Sequence, residues 1–315
     1  MAVDFNWFPG HMNKTLKAIE AKIPVVDLVI EVLDARAPYS SRNTTFSKIL
    51  KNKPVLFIMA KADIADPKVT QEWKEYFAKE KREVLVLDNK NENIVKDLVD
   101  AINKATLEKQ LKDKNKGMIN SLINVLVIGI PNVGKSTLIN RIVKNKNVKV
   151  GNKPGLTRGI QIIHLSKFIS LLDTPGILPA KLDSEQVATN ICAINSIKQG
   201  IYPQERVAGK IMQYVFNSYE NVIETYFKIS PKLQRPIQIS ETIILFELIG
   251  KSKKWYISED LLDYNRVISH FLQCVIDQKF GRISFEKVLE AVPKEIEKIA
   301  KSDNEKKHMD ITDLW

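Results

Sequence analysis

Apolar residues along this chain fall into short continuous runs that end in small, polar or glycine-rich loops. The run 25–33 leads into Asp34-Ala35-Arg36, 54–59 into Ala60-Lys61-Ala62-Asp63, and 84–87 into Asp88-Asn89-Lys90. Further on, 123–128 leads into Gly129 and 168–172 into Asp173-Thr174-Pro175-Gly176. Runs this short, rich in β-branched residues, predict buried strands. Between them, 69–81 and 94–111 carry apolar residues at helical spacing. Strands alternating with helices predict a doubly wound α/β sheet with its chemistry collected at the strand C-termini. Past about residue 179 the pattern becomes helical, at 185–198, 206–227, 261–279 and 284–301, with Pro203, Pro231 and Pro236 in the connections. The expected architecture is an α/β domain over 1–183 followed by a smaller all-α domain over 184–315, in keeping with roughly 100 to 200 residues per domain.

Composition narrows the class. With 44% hydrophobic and 27% charged residues the chain is a folding sequence, which excludes disorder and fibre. Two cysteines exclude a disulfide framework and suit a reducing compartment. The longest apolar stretch, 122–131, is far short of the roughly 20 residues that span a bilayer. The N-terminus lacks the apolar core of a signal peptide. A cytoplasmic protein that does not enter membranes is expected.

The formal charge is +11, and all of it lies in residues 1–183, where 30 basic side chains face 19 acidic ones. Residues 131–172 hold eight Lys and Arg with no Asp or Glu. Such a one-sign stretch is either a solvated lysine-rich loop or a surface for a polyphosphate partner, a nucleotide or an RNA backbone.

The motifs favour the nucleotide. Gly129-Ile130-Pro131-Asn132-Val133-Gly134-Lys135-Ser136 fits G-x-x-x-x-G-K-[ST], between an apolar strand and a helical pattern beginning at Thr137. The glycines let backbone wrap a phosphate, Lys135 neutralises the terminal phosphates, and Ser136 is placed to hold Mg²⁺. Asp173 and Gly176 of the D-x-x-G turn are candidates for the metal and the γ-phosphate respectively. Thr157, in Gly155-Leu156-Thr157-Arg158-Gly159, is a candidate third metal ligand.

A guanine-reading box, [N/T]-K-x-D, ordinarily follows D-x-x-G. The candidate there, Ala180-Lys181-Leu182-Asp183, begins four residues past Gly176, too near for a strand or helix to intervene. Ala60-Lys61-Ala62-Asp63 instead follows a strand upstream of the P-loop. The elements are present in rotated order, which reads as a circular permutation of a P-loop GTPase domain.

Together with Trp7-Phe8-Pro9-Gly10-His11-Met12, Asp34-Ala35-Arg36-Ala37-Pro38 and, more weakly, Gly281-Arg282-Ile283-Ser284-Phe285-Glu286, this order resembles the circularly permuted GTPases of the ribosome biogenesis GTPase A type. The resemblance covers nearly the whole chain. It implies a GTPase that binds GTP and GDP with Mg²⁺, acts as a monomer on an immature large (50S) ribosomal subunit through rRNA and ribosomal protein, and is released by hydrolysis. No DNA partner is expected. It implies nucleotide contacts from Ala60, Lys61, Ala62, Asp63, Asp88, Asn89, Asn132, Val133, Gly134, Lys135, Ser136, Thr137, Thr157 and Gly176, and Mg²⁺ at Ser136, Thr157 and Asp173. Asn132 resembles the asparagine by which related GTPases hold K⁺; the alternative is a P-loop residue without that role. Ala60 departs from the family, which has asparagine there, so weaker guanine binding is expected. Ile177 stands where many GTPases place a water-orienting glutamine, so another polar group or a partner must do that work; His11, in the motif that the resemblance links to catalysis, is the candidate catalytic residue. Two other readings stay open: a nucleotide-gated rRNA-binding scaffold with little turnover, and an NTPase without base preference.

Overall fold

A computed structural model describes residues 10–50, 53–88, 93–118, 121–144, 149–150, 160–179 and 181–291. Helix α1 (Gly10–Glu20) leads to β1 (Leu28–Asp34), α2 (Thr44–Leu50), β2 (Val55–Ala60), α3 (Pro67–Lys79) and β3 (Glu83–Val86). Then come α4 (Ile94–Ala105), α5 (Leu107–Asn115), β4 (Ile123–Ile128), α6 (Lys135–Val143), β5 (Lys149–Val150), β6 (Gln161–His164) and β7 (Ile169–Asp173). These strands form one sheet in the order β3-β2-β1-β4-β7-β6-β5. The first five are mutually parallel; at one edge β6 runs antiparallel to β7, and β5 antiparallel to β6, so β6 alone is reversed.

Strand β1 is buried at all seven positions, as a central parallel strand must be when helices cover both faces. The period-2 alternation of β2 sorts its side chains: Leu56 and Ile58 pack with Leu98 of α4 and Ile139 of α6, while Phe57 and Met59 pack with Val69, Trp73 and Phe77 of α3. The chain moves outward from β1 through β2 to β3, then returns to place β4 on the other side of β1. That reversal between β1 and β4 is a topological switch point, and the crevice beyond it is where open α/β sheets bind ligands.

Helices α7 (Glu185–Ala193), α8 (Gln204–Ser218), α9 (Val222–Phe227) and α10 (Thr242–Lys253) follow, then a small hairpin of β8 (Tyr256–Ser258) and β9 (Leu261–Leu262), then α11 (Tyr264–Ile276) and α12 (Val288–Ala291). The hairpin is the exception to the helical character expected of this region. The expected boundary at 183/184 falls between β7 and α7, and the apolar core runs across it: Ile191, Met212, Leu245 and Phe271 belong to the same cluster as the β4 residues.

Several expected helices break where backbone chemistry intervenes. The pattern over 94–111 divides at Thr106, whose hydroxyl bonds the Ile102 carbonyl at 2.7 Å. That over 206–227 divides before Asn221, which takes φ +60°, a left-handed conformation asparagine tolerates. That over 261–279 begins only at Tyr264, where the Asp263 side chain caps the helix by accepting from the Arg266 N–H. Residues 281–287 are irregular, and the helix expected from 284 begins only at Val288, because polar groups of the preceding segment are committed elsewhere, as described below.

Candidate nucleotide site

The C-terminal ends of β2, β1, β4 and β7 lie side by side, with Asp34 opposite Ala60 and Val127 opposite Asp173 in register. One edge of the sheet therefore gathers the Ala60 to Asp63 loop, the Asp34 to Arg36 loop, the P-loop and the D-x-x-G turn.

The P-loop leaves β4 and enters α6 at Lys135. Gly134 takes φ +107°, which L side chains rarely adopt, and a Cβ there would meet the Ala60 Cβ at 3.1 Å. The first turn of α6 presents backbone N–H groups that have no acceptor within the helix, an arrangement suited to an anion. Lys135 and Asp173 are both buried and pair at 2.7 Å. The D-x-x-G turn lies directly on the P-loop: a Cβ on Gly176 would stand 3.0 Å from the Cα and N of Pro131. The Ile177 N–H donates to the Gly129 carbonyl at 3.2 Å, and the Thr174 hydroxyl donates to that of Val127 at 2.8 Å. Ile177 itself is buried and apolar.

A cavity of about 230 Å³ is lined by Asn132, Lys135, Ser136 and Gly176, among others. A second, of about 170 Å³, is lined by Ala60, Asp63, Leu87, Arg141 and Gln278, among others. Lys61, Gly134 and Thr137 line both, so the two form one continuous cleft. Lys61 spans it. Its ammonium donates to Asp34 at 2.9 Å and to the Asn132 carbonyl, tying the loop after β2 to the P-loop.

Asp34 is the electrostatic centre of this edge. It is fully buried and accepts from the Arg36 guanidinium at 2.9 and 2.8 Å, from the Arg36 N–H, and from Lys61. Burial opposes its ionisation, but the Arg36 and Lys61 cations beside it win and hold its carboxyl below the usual carboxylate range.

Other sites expected from the sequence fall as follows. Ala60 is buried, and its carbonyl accepts from the Ala35 N–H. Ala62 packs into the core beside α3, and its N–H donates to the Leu87 carbonyl at 3.2 Å. The Val133 side chain is buried in the main core, which leaves its backbone as the part available to a ligand. The backbone carbonyl of Asp88 accepts from Arg141 at 3.0 Å. The Asn132 side chain donates to the Asn195 carbonyl, and the Ser196 hydroxyl donates to the Pro131 carbonyl at 2.7 Å, so the turn after α7 braces the P-loop. His11 falls in the first turn of α1, where side chains lie outside the described part; Asn89 and Thr157 lie outside the described residues. Sequence reasoning missed Arg141 and Gln278 in the wall of the second cavity. Arg141 carries no motif signal, and Gln278 arrives from more than two hundred residues away in the chain.

A parallel sheet with a P-loop after β4, D-x-x-G after β7 and a Lys-x-Asp box upstream after β2 defines a circularly permuted P-loop GTPase. Residues 124–312 match the family described as 50S ribosome-binding GTPase. The chain is 36% identical over 282 residues to ribosome biogenesis GTPase A of Bacillus licheniformis, covering 89% of this chain and 97% of that one, and 30% identical over 289 residues to its Thermotoga maritima namesake. Among solved structures, the GNP-bound YlqF of T. maritima superposes with a TM-score of 0.58 at 26% identity, covering 87% of this chain and 98% of that one. A GDP-bound YlqF structure gives 0.60 at 25%, covering 86% and 99%. The chain belongs to the ribosome biogenesis GTPase A family: it is a GTP hydrolase that binds GTP and GDP.

Proposed function

We propose that this GTPase docks on a large (50S) ribosomal subunit precursor in the cytoplasm, as a monomer, through rRNA and ribosomal protein, and that hydrolysis releases it after a late assembly step. DNA has no place in this reading. The observation that carries it is the continuous cleft, in which Asp63 stands at one end to accept from the guanine amino and imino groups and Lys135 at the other to meet the phosphates. The stretch 131–172, which begins with the P-loop residues and holds eight Lys and Arg with no Asp or Glu, has the right sign for rRNA. The relatives' names supply the ribosomal context. Among the described residues no helix is long and apolar enough to cross a membrane.

The residues fit Mg²⁺. Ser136 and Asp173 offer hard oxygen donors, and the Lys135 ammonium sits on the Asp173 carboxylate as a cation would. With Thr157 they would hold the ion, which neutralises charge on the β- and γ-phosphates when bound. Asn132 lines the phosphate cavity, and with its amide nitrogen given to Asn195, its Oδ1 is the donor for K⁺. The Gly176 N–H would sense the γ-phosphate, the P-loop and α6 N–H groups would cradle the phosphates before it, Asp88 and Asn89 would flank the base, and His11 would orient the water that Ile177 cannot.

GTP turnover measured in K⁺ buffer, with and without purified large subunits, in the native chain and in His11→Ala, tests this. The expected result is acceleration by subunits that the substitution abolishes. Binding to subunits without acceleration would favour a nucleotide-gated scaffold, a reading that the apolar Ile177 and the absent asparagine at Ala60 support, and would withdraw the role given to His11.

A further inference from the structure

The loop that carries Asp63 is held from outside by a segment more than two hundred residues downstream. The Arg282 guanidinium forks onto two carbonyls of that loop, Nη2 donating to Ala62 at 2.9 Å and Nε to Ala65 at 3.0 Å. The Ser284 hydroxyl accepts from the Asp66 N–H at 3.2 Å. Asp63 thus lies between two pinned carbonyls, with Ala62 also tied to Leu87. The same downstream segment brings Gln278, at φ +59°, into the cavity wall opposite.

The segment is itself firmly seated. The Phe285 N–H donates to the Arg36 carbonyl at 2.7 Å. The buried Glu286 carboxylate accepts from the Ser40 N–H at 3.0 Å, from Asn190 at 3.0 Å, and from the Tyr39 N–H and Ser40 hydroxyl. The Trp73 indole donates to the Glu286 carbonyl at 3.2 Å. Such anchoring makes Arg282 a fixed fork against a loop with little regular structure of its own, and charge-assisted bonds of this kind are among the stronger ones.

We propose that Arg282 is a positioning residue for guanine recognition: by fixing the carbonyls on either side of Asp63 it pre-organises the carboxylate to meet the guanine N1–H and 2-amino group together. The inference rests on the assignment of Asp63 to the base. A loop set in advance loses less freedom on binding, and two simultaneous bonds reward that order more than one does. Inosine diphosphate, which lacks the 2-amino group, can offer Asp63 only one of the two.

The test is release of a fluorescent GDP analogue, with competition by GDP and by inosine diphosphate, in the native protein, Arg282→Ala, Arg282→Lys and Asp63→Asn. Arg282→Ala is expected to speed release about ten-fold, the loss of a bond to a charged group, and to narrow the preference for GDP over inosine diphosphate. Arg282→Lys, reaching one carbonyl, should recover part of both. Unchanged release, or a loss of both nucleotides in equal proportion, would overturn the proposal, since a merely structural role weakens the two alike. Where Arg282→Ala does not fold, Arg282→Lys decides by the same criteria. If Asp63→Asn loses the GDP preference while the Arg282 variants keep it, only this inference falls; if Asp63→Asn keeps it, the assignment of the base cavity falls too.

Discussion

The end of the cleft proposed for the phosphates and the end proposed for the base are built in different ways. At the phosphate end, the P-loop and D-x-x-G turn leave adjacent strands and bond directly to each other, through Ile177 to Gly129 and Thr174 to Val127. At the base end, the loop after β2 is supported by Arg282 and Ser284 from beyond α11 and by Lys61 reaching across to Asp34. The first arrangement is set by strand register and two short motifs. The second is set by a contact between regions remote in sequence; the helical region reaches the phosphate end as well, but there only as a brace, through Asn195 and Ser196 on the P-loop.

The largest expected effect isolates the phosphate end. Lys135→Ala removes a buried cation that faces Asp173 and the terminal phosphates, and single-turnover GTP cleavage should fall by at least about a hundred-fold, the scale of losing one charge-stabilising donor. Cleavage within a few-fold of native would break the assignment of that end.

Next comes the anchor of the downstream segment. Burial pushes the Glu286 carboxyl up to about 7, against the donors from Ser40, Tyr39 and Asn190. Its ordinary value is 4.5, so the native protein holds a proton there that the unfolded chain releases over that interval. The stability this contributes is complete below 4.5 and is lost as pH rises through 7, on the order of 3 kcal/mol in all. Thermal melting of the native protein should therefore fall between about pH 5 and pH 8. Glu286→Gln should flatten that dependence, and an unaltered slope in the variant would place its source elsewhere.

The smallest effect sharpens the base end. Ala60→Asn restores the side-chain amide expected of the family. A gain of about 1 kcal/mol, or roughly five-fold slower GDP release, is what one added hydrogen bond contributes. Faster release would mean that the space beside Gly134, already close to the Ala60 Cβ, does not admit the larger side chain.

The same contrast explains what was legible in the sequence. The five parallel strands and the P-loop could be read because each depends on residues within a few positions of one another. The Lys61-x-Asp63 loop could be placed at the same sheet edge as the P-loop once the rotated order was accepted, because it follows β2 directly. The antiparallel strand β6 could not be read, since Gln161–His164 holds only two consecutive apolar residues between polar ends, too short a run to register. Residues 281–286 were legible only as a weak family likeness; from 284 onward the apolar spacing suggested a helix, while their polar groups in fact serve the loop around Asp63 and the turn at Ser40. Nothing local to Gln278 or Arg282 marks them as neighbours of the loop around Asp63, because their partners lie across the fold.

Hydrogen exchange of the backbone amides, compared between the nucleotide-free and GDP-bound protein, tests this division most directly. The account predicts that GDP slows exchange in the P-loop and in residues 62–66, and equally at the distant Ser284 and Phe285 amides, which bond Tyr219 and Arg36. Protection confined to the P-loop and the first turn of α6, with Ser284 and Phe285 unchanged, would contradict it.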